Sequence, residues 1–171
     1  MTTLRTHTLR LAAMLLLAGA LSACGFALRG SHGKVDMAFH SIYLPFPETS
    51  PLGTELARNL RGGDKVVVLS DPAKAEARFE VLTENRGKSI LSLNSQGRVR
   101  EYLLTYTLVF RVLDNKGVEL LGPTEIGLKR NIPFNEQQVL AKETEEALLY
   151  RDMQSDLVQQ ILRRLAAIKP K

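Results

Sequence analysis

Residues 98–113, RVREYLLTYTLVFRVL, are the stretch that decides the fold. Over 102–112 the positions alternate between two kinds of side chain. The even-numbered positions are Tyr102, Leu104, Tyr106, Leu108, Phe110 and Val112. Because successive side chains of a strand point to opposite faces, this pattern predicts a strand with one face against a core. The odd-numbered positions include Thr105, Thr107 and Arg111, which predicts a more polar, more hydrated environment for the other face.

A second arm precedes this strand and predicts a hairpin. Residues 78–93 form the first arm, and Asn94-Ser95-Gln96-Gly97 supplies the turn signal. Each arm is longer than ten residues, against a usual strand length of about five or six. We therefore expect a hairpin long enough to project beyond the domain that holds its base.

Shorter elements flank the hairpin. Residues 41–44 and 66–69 predict two short strands, and strand residues resume from 118 and again over 125–132, after a turn at 114–117. A helix is predicted between the first two strands. Its start has the Ser50-Pro51 pattern, leucine recurs every four residues from 52 to 60, and Gly62-Gly63 is typical of its end.

The last predicted element is a long helix over 135 to about 168, which Asn135 begins with a capping-box pattern. Its apolar face consists of Val139, Tyr150, Leu157, Ile161, Leu165 and Ile168. Glu143 and Gln154 share that face, so we expect the first half of the helix to pack less tightly. Leu148 and Leu149 lie off it, which predicts contact either with the first helix or with a partner.

The order strand, helix, strand, hairpin, strand, helix indicates an α+β domain over residues 40–171. We expect its two helices to pack on one face of a mixed sheet built around the long central β-hairpin. The other face of the sheet then needs a cover or a partner.

The N-terminus has the pattern of an export signal. Residues 1–10 carry two arginines and no acid, and residues 11–20 are uncharged and apolar. The run ends in Leu21-Ser22-Ala23-Cys24, which resembles the lipobox of bacterial lipoproteins. The resemblance implies a signal peptide over 1–23, acylation of Cys24, and a tether over 24–39. Gly25, in place of the aspartate that retains lipoproteins at the inner membrane, suggests the periplasmic side of the outer membrane. The alternative is an ordinary secretory signal that leaves Cys24 as a free thiol.

Composition limits the class of protein. The 171 residues are 44% apolar and 24% charged, which suits one globular domain. Removal of 1–23 takes away two of the 23 basic residues and none of the 18 acidic ones, so the net charge falls from +5 to 21 − 18 = +3. In the periplasm this excess favours anionic lipid as a partner and argues against nucleic acid.

Catalytic chemistry finds no support in the sequence. The three histidines, His7, His32 and His40, lie in the signal or beside the tether, and one cysteine excludes a cysteine-rich metal site. The carboxylates at 143, 145 and 146 are typical of a solvated helix start. We therefore expect no enzyme, no metal and no cofactor, and a binding or scaffolding role.

Four pieces of the chain resemble the LptE family of LPS-assembly lipoproteins. They are Cys24-Gly25-Phe26-Ala27-Leu28-Arg29-Gly30, Gly97 through Glu101-Tyr102, Leu140-Ala141-Lys142-Glu143 and Ile161-Leu162-Arg163-Arg164-Leu165. In order, they cover nearly the whole mature chain. The resemblance implies a domain with two helices and a four-stranded sheet. It also implies an outer-membrane lipoprotein that plugs the β-barrel LPS translocon LptD, helps to assemble it, and binds LPS during its transfer to the cell surface.

The same resemblance implies lipid-contacting residues. The family's lysine near the last helix falls on Lys142, and its basic residue at the hairpin tip falls on Ser95, which is not basic. Arg98 and Arg100 are the nearby basic residues that could take its place. Taken by themselves, Lys142 suits an ion pair with Glu146 four residues on, and the two arginines suit cross-strand pairing or solvation. The alternative function is an envelope lipoprotein that binds another lipid or peptidoglycan without a barrel partner.

Overall fold

The computed structural model describes residues 37–63 and 66–169. The predicted signal peptide, Cys24 and most of the tether lie outside these residues. The described elements, in chain order, are β1 Ser41–Tyr43, α1 Pro51–Gly63, β2 Val67–Leu69, β3 Ala77–Leu93, β4 Val99–Asp114, β5 Glu119–Pro133, a 3₁₀ turn Glu136–Gln138 and α2 Val139–Ala166.

The strands form one mixed sheet in the order β2-β1-β3-β4-β5. β1 pairs in parallel with both β2 and β3, while β3, β4 and β5 are antiparallel. The expected sheet had four strands, and the described residues form five. The two separate segments predicted after residue 118 are also one strand, β5. Pro123 does not interrupt it because β5 lies at the edge of the sheet, where a missing backbone donor is tolerated.

The predicted central hairpin is present, with strands of 17 and 16 residues. Its turn forms as the sequence indicates: the Oδ1 atom of Asn94 accepts hydrogen bonds from the backbone N–H groups of Gln96 and Arg98. Gly97 has a φ of 77°, a left-handed conformation that glycine adopts without the steric cost of a Cβ atom. The turn that joins β4 to β5 is built in the same way on Asp114 and Gly117.

Both helices contribute to one core against the sheet. On β4 the predicted core face is fully buried from Leu104 to Val112 at alternate positions. On α1, Leu52, Leu56 and Leu60 are fully buried. The Ser50 Oγ atom accepts a hydrogen bond of 3.1 Å from the N–H of Gly53, so the predicted N-cap is confirmed.

Helix α2 buries only its second half, as predicted. Its buried residues are Met153, Gln154, Leu157, Val158, Ile161 and Leu165. In its first half, Leu148 is 51% exposed, whereas Leu149 packs against the core. The predicted capping box is wrong: Asn135 caps the 3₁₀ turn by accepting from the N–H of Gln137, and Gln138 makes no side-chain cap of α2.

Neither of the helices described over 37–63 and 66–169 combines the length and the apolar character needed to cross a bilayer.

Candidate functional site

The core-facing side of β3 changes character along its length. Near its start it carries Ala77 and Phe79, which are fully buried. Farther toward the tip, Glu84, Arg86 and Lys88 lie opposite Leu108, Tyr106 and Leu104 of β4. Because directly paired residues project from the same face of a sheet, these charges stand on the side that α2 covers.

Two of these charges belong to a polar network beneath α2. The guanidinium of Arg86 donates hydrogen bonds to the Tyr106 hydroxyl (2.9 Å) and to the Gln154 side-chain oxygen (3.1 Å). The Tyr106 hydroxyl donates to Glu84 (2.7 Å), and the Gln154 side chain donates to Glu55 of α1 (2.7 Å). Burial raises the pKa of Tyr106 to about 12. The network therefore joins β3, β4 and both helices where the apolar core ends.

The first half of α2 is held to the hairpin by two polar contacts. The Tyr150 hydroxyl donates a hydrogen bond of 2.7 Å to the backbone oxygen of Gly87. The Lys88 Nζ atom lies 2.5 Å from the Glu146 Oε2 atom.

A cleft of about 80 Å³ lies between the sheet and the first turns of α2. Its floor is aromatic: the rings of Tyr102 and Phe134 meet edge to face with centroids 5.3 Å apart. The Lys88 Nζ atom stands 4.4 Å from the centre of the Tyr102 ring, within the range of a cation–π contact. The cleft is lined by Lys88, Tyr102, Ile132, Phe134, Val139, Lys142, Glu143 and Glu146.

Lys142, the lysine selected from the sequence, lines this cleft. Its side chain is 17% exposed, and its Nζ atom lies 2.7 Å from the Glu145 Oε2 atom. The predicted pair with Glu146 is wrong. Glu146 turns toward β3 and pairs with Lys88, which leaves Glu145, three residues along the helix, as the partner of Lys142.

The tip residues divide into two groups. Arg98 lines a shallow groove of about 290 Å³ beside the hairpin turn, and Phe134 lines both this groove and the cleft that holds Lys142. Ser95 lies exposed in the turn, and Arg100 lies exposed on β4. Neither of these two lines the groove or the cleft. The structure therefore brings Arg98 and Lys142 to adjoining depressions, while Ser95 and Arg100 stand outside them.

Exposed apolar side chains surround this end of the domain. On β3, Ile90, Leu91 and Leu93 are 44–57% exposed, and at the start of α2 Leu140 is 80% exposed. Solvent-exposed apolar side chains next to cationic ones suit an anionic amphiphile, whose headgroup and hydrocarbon need both kinds of contact.

The sequence analysis did not select Lys88, which lies at this end of the domain. The register set by the hairpin turn could have drawn attention to it. Counting outward from the turn places Lys88 opposite Leu104, and therefore diagonal to Tyr102 and on the core-facing side of the strand. Within the residues described, no group of three or more histidine, cysteine or carboxylate side chains is placed to hold a metal ion.

Known proteins of one family resemble this chain. The LptE family model, described as lipopolysaccharide-assembly, matches residues 39–165. The LPS-assembly lipoprotein LptE of Pectobacterium atrosepticum is 28% identical over 148 residues, which cover 86% of this chain and 79% of that protein.

Solved structures of lipoproteins have the same fold. The solution structure of an uncharacterized lipoprotein B from Nitrosomonas europaea is 40% identical, with a TM-score of 0.71, and the match covers 84% of this chain and 91% of that one. The crystal structure of the rare lipoprotein B from Shewanella oneidensis is 29% identical, with a TM-score of 0.62 over 74% of this chain and 94% of that one.

The family match extends over both helices and all five described strands. It also includes the cleft with Lys142 and the groove with Arg98. The chain belongs to the LptE family of lipopolysaccharide-assembly lipoproteins.

Proposed function

We propose that this chain is an outer-membrane lipoprotein, held on the periplasmic side by acyl chains on Cys24, that plugs and helps to assemble an LptD-type β-barrel. In that position it binds LPS during the transfer of LPS to the cell surface. The observation that supports this proposal best is the grouping of Lys142 and Arg98 with exposed apolar side chains at one end of the domain.

The chemistry of this end matches that of lipid A. Its phosphate groups accept charge-assisted hydrogen bonds from lysine and arginine, and its acyl chains suit exposed apolar side chains such as Leu93 and Leu140. Arg98 and Arg100 both lie near Ser95, the tip position to which the family resemblance assigns a basic residue.

The sheet supports the proposed barrel partner. The face of β4 that carries Leu103, Thr105, Thr107 and Val109 lies opposite the helices, and these four residues are only half-buried. No helix among the described residues covers that face, so it is available to another protein surface. Its mixture of hydroxyl and apolar side chains suits contact with the wall of a barrel.

Affinity purification tests the barrel partner. A tagged chain purified in gentle detergent should bring down one large β-barrel protein in a 1:1 ratio. Recovery of the chain alone would count heavily against the plug, and recovery with peptidoglycan or another lipid would favour a lipoprotein without a barrel. Mass spectrometry of the same sample should find the acylated N-terminal peptide that begins at Cys24.

Charge reversal tests the lipid site. Lys142→Glu and the double variant Arg98→Glu/Arg100→Glu should each weaken LPS binding, because each places an anion where a phosphate would bind. Lys116→Glu is the matched control, since Lys116 is exposed in the turn at the opposite end of β4. Unchanged LPS binding in both test variants would contradict the assignment of these residues.

A further inference from the structure

Two lysines from different elements share the cleft between the sheet and α2, and each is paired with a carboxylate. Lys88 comes from the hairpin and Lys142 from the helix. We propose that Lys88 and Lys142 together bind one phosphate group of a lipid headgroup in this cleft, and that Glu146 competes with that phosphate for Lys88. The inference rests on the proposed binding of LPS and adds to it a second cation and an internal competitor.

The position of Lys88 suits a phosphate ligand. Its side chain is 38% exposed, so its ammonium group can exchange partners without leaving the cleft. The face of the Tyr102 ring lies 4.4 Å from its Nζ atom and limits where that atom can move. The hydrogen bond to Glu146 raises the pKa of Lys88 above its ordinary value, so this pair favours the charged ammonium group.

The cleft has room for a small polar group. Its volume of about 80 Å³ is several times the roughly 10–15 Å³ that one water molecule requires. That space is enough for a single phosphate group. The exposed apolar side chains around it, such as Val139 and Leu140, would then contact the hydrocarbon of the same lipid.

Charge balance makes the carboxylates competitors. Lys88 and Lys142 contribute two positive charges, whereas Glu143, Glu145 and Glu146 contribute three negative ones within the cleft or in direct contact with it. A phosphate that enters with all three carboxylates in place meets net repulsion. It must therefore displace a carboxylate from a lysine.

Of the carboxylates paired with the two lysines, Glu146 should compete more strongly with a phosphate than Glu145. Its side chain is 23% exposed, and its contact with Lys88 joins two elements that are 58 residues apart in sequence. Glu145 is 43% exposed, and its pair with Lys142 lies within one turn of a single helix, where such pairs contribute only about 0.2–0.5 kcal/mol. Removal of the Glu146 charge should therefore increase phosphate affinity more than removal of the Glu145 charge.

The test uses the full mature lipoprotein in mild detergent and diphosphoryl lipid A in mixed micelles. Glu146→Gln should bind lipid A about threefold more tightly, and Lys88→Gln about threefold more weakly, which is the range of a partly exposed charge pair. In the double variant Lys88→Gln/Glu146→Gln, the gain from Glu146→Gln should disappear, because the competitor no longer has a lysine to hold. Matched controls are Glu125→Gln and Lys116→Gln, exposed residues that line neither depression.

Two further ligands separate the possible sources of phosphate. Dephosphorylated lipid A should show no effect of Glu146→Gln. Inorganic phosphate alone should bind far more weakly than lipid A. An effect of Glu146→Gln on inorganic phosphate with none on lipid A would overturn the lipid assignment and leave only a free-anion site.

The remaining outcomes separate this inference from the proposed function. If wild-type protein fails to bind lipid A, both are overturned. If wild-type protein binds lipid A and Lys142→Gln weakens binding, but Lys88→Gln and Glu146→Gln leave it unchanged, only the inference is overturned. A gain from Glu146→Gln that persists without Lys88 would also overturn it, since Glu146 would then act by general charge. Thermal melting of each variant checks that the fold is intact.

Discussion

At the scale of single residues, Tyr106 marks the point where the core-facing side of the hairpin changes from apolar to charged. Its ring is fully buried, and its hydroxyl donates to Glu84 and accepts from Arg86. A buried polar atom that loses its partner costs about 1–3 kcal/mol. The hydroxyl of Tyr106 therefore links the apolar core to the charged residues beneath α2.

Tyr106 also predicts a dependence of stability on pH. Its pKa is raised from 10.0 to about 12 in the folded protein, so folding favours the neutral phenol. This contribution is fully present below about pH 10, where the unfolded phenol is also neutral, and is lost as the pH rises toward 12. Tyr106→Phe should lower the free energy of unfolding at pH 7 by about 1–2 kcal/mol and should remove this part of the alkaline loss.

Urea unfolding at pH 8.5 and pH 11.5 measures both effects. Tyr43→Phe is the control, because it removes the phenolic hydroxyl of a half-buried tyrosine. That hydroxyl makes no observed hydrogen bond to the described residues. An equal alkaline loss in wild-type protein and Tyr106→Phe would show that the raised pKa of Tyr106 does not contribute to stability.

Alanine substitutions at two glycines of α1 should have opposite effects on the stability of the domain. A Cβ atom at Gly53 would lie 2.3 Å from the Cβ atom of Phe46, whose ring packs against Phe79. A Cβ atom at Gly62 would meet no atom within 4 Å. Gly53→Ala should therefore destabilise the domain by about 1–3 kcal/mol through overpacking. Gly62→Ala should be neutral or stabilising by up to about 1 kcal/mol, because alanine favours a helix. Paired urea denaturation curves decide this, and equal effects at both positions would contradict it.

At the scale of elements, local patterns in the sequence predicted the central strand and the first helix, although the local capping-box pattern at Asn135 was wrong. Alternation over 102–112 identified β4 and its buried face, and the Ser50-Pro51 and Gly62-Gly63 patterns identified both ends of α1. The count of four strands was implied by the family resemblance, whereas the sequence pattern itself predicted the short strands β1 and β2. The pattern did not specify how these strands join the sheet, which they do in parallel and through partners far along the chain.

The site shows the same division. Lys142 and Arg98 were selected through the family resemblance, and the register of the hairpin turn could also have drawn attention to Lys88. The partner of Glu146 could not be predicted, because a helical wheel gives the direction of a side chain but not the strand that it faces. From the sequence, Glu146 was therefore a plausible partner for Lys142, four residues before it on the same helix. Only the packing of α2 against β3 shows that Glu146 pairs with Lys88 instead.

The uneven burial of α2 predicts uneven stability along the helix. Residues from Met153 onward are anchored in the core, whereas the first half depends on Tyr150, Glu146 and a few apolar contacts. Tyr150→Phe removes the hydrogen bond to the Gly87 oxygen. It should accelerate amide hydrogen exchange over 139–150 several-fold and leave exchange over 153–165 unchanged, because local opening does not require the core to unfold. Uniform acceleration along the whole helix would contradict this division.

At the scale of the whole molecule, the hairpin tip should be separable from the fold. Every residue of the turn over 94–98 is exposed, and none of the buried core residues of the hairpin lies between 80 and 103. Replacement of residues 91–101 by Asn-Gly, a sequence that favours a tight hairpin turn, would remove Ser95, Arg98 and Arg100. It would retain Lys88 and Lys142 in their cleft. The shortened chain should keep its circular dichroism spectrum and a cooperative melting transition.

LPS binding by the shortened chain should fall by about tenfold, because it loses two cations and the exposed side chains of Leu91 and Leu93. The residual binding should still depend on Lys142. This dependence is measured by adding Lys142→Gln to the shortened chain, with Lys116→Gln as the control at the other end of β4. Full LPS affinity in the shortened chain would place the lipid site on α2 and the cleft alone. Complete loss of affinity with the fold intact would place it on the hairpin tip.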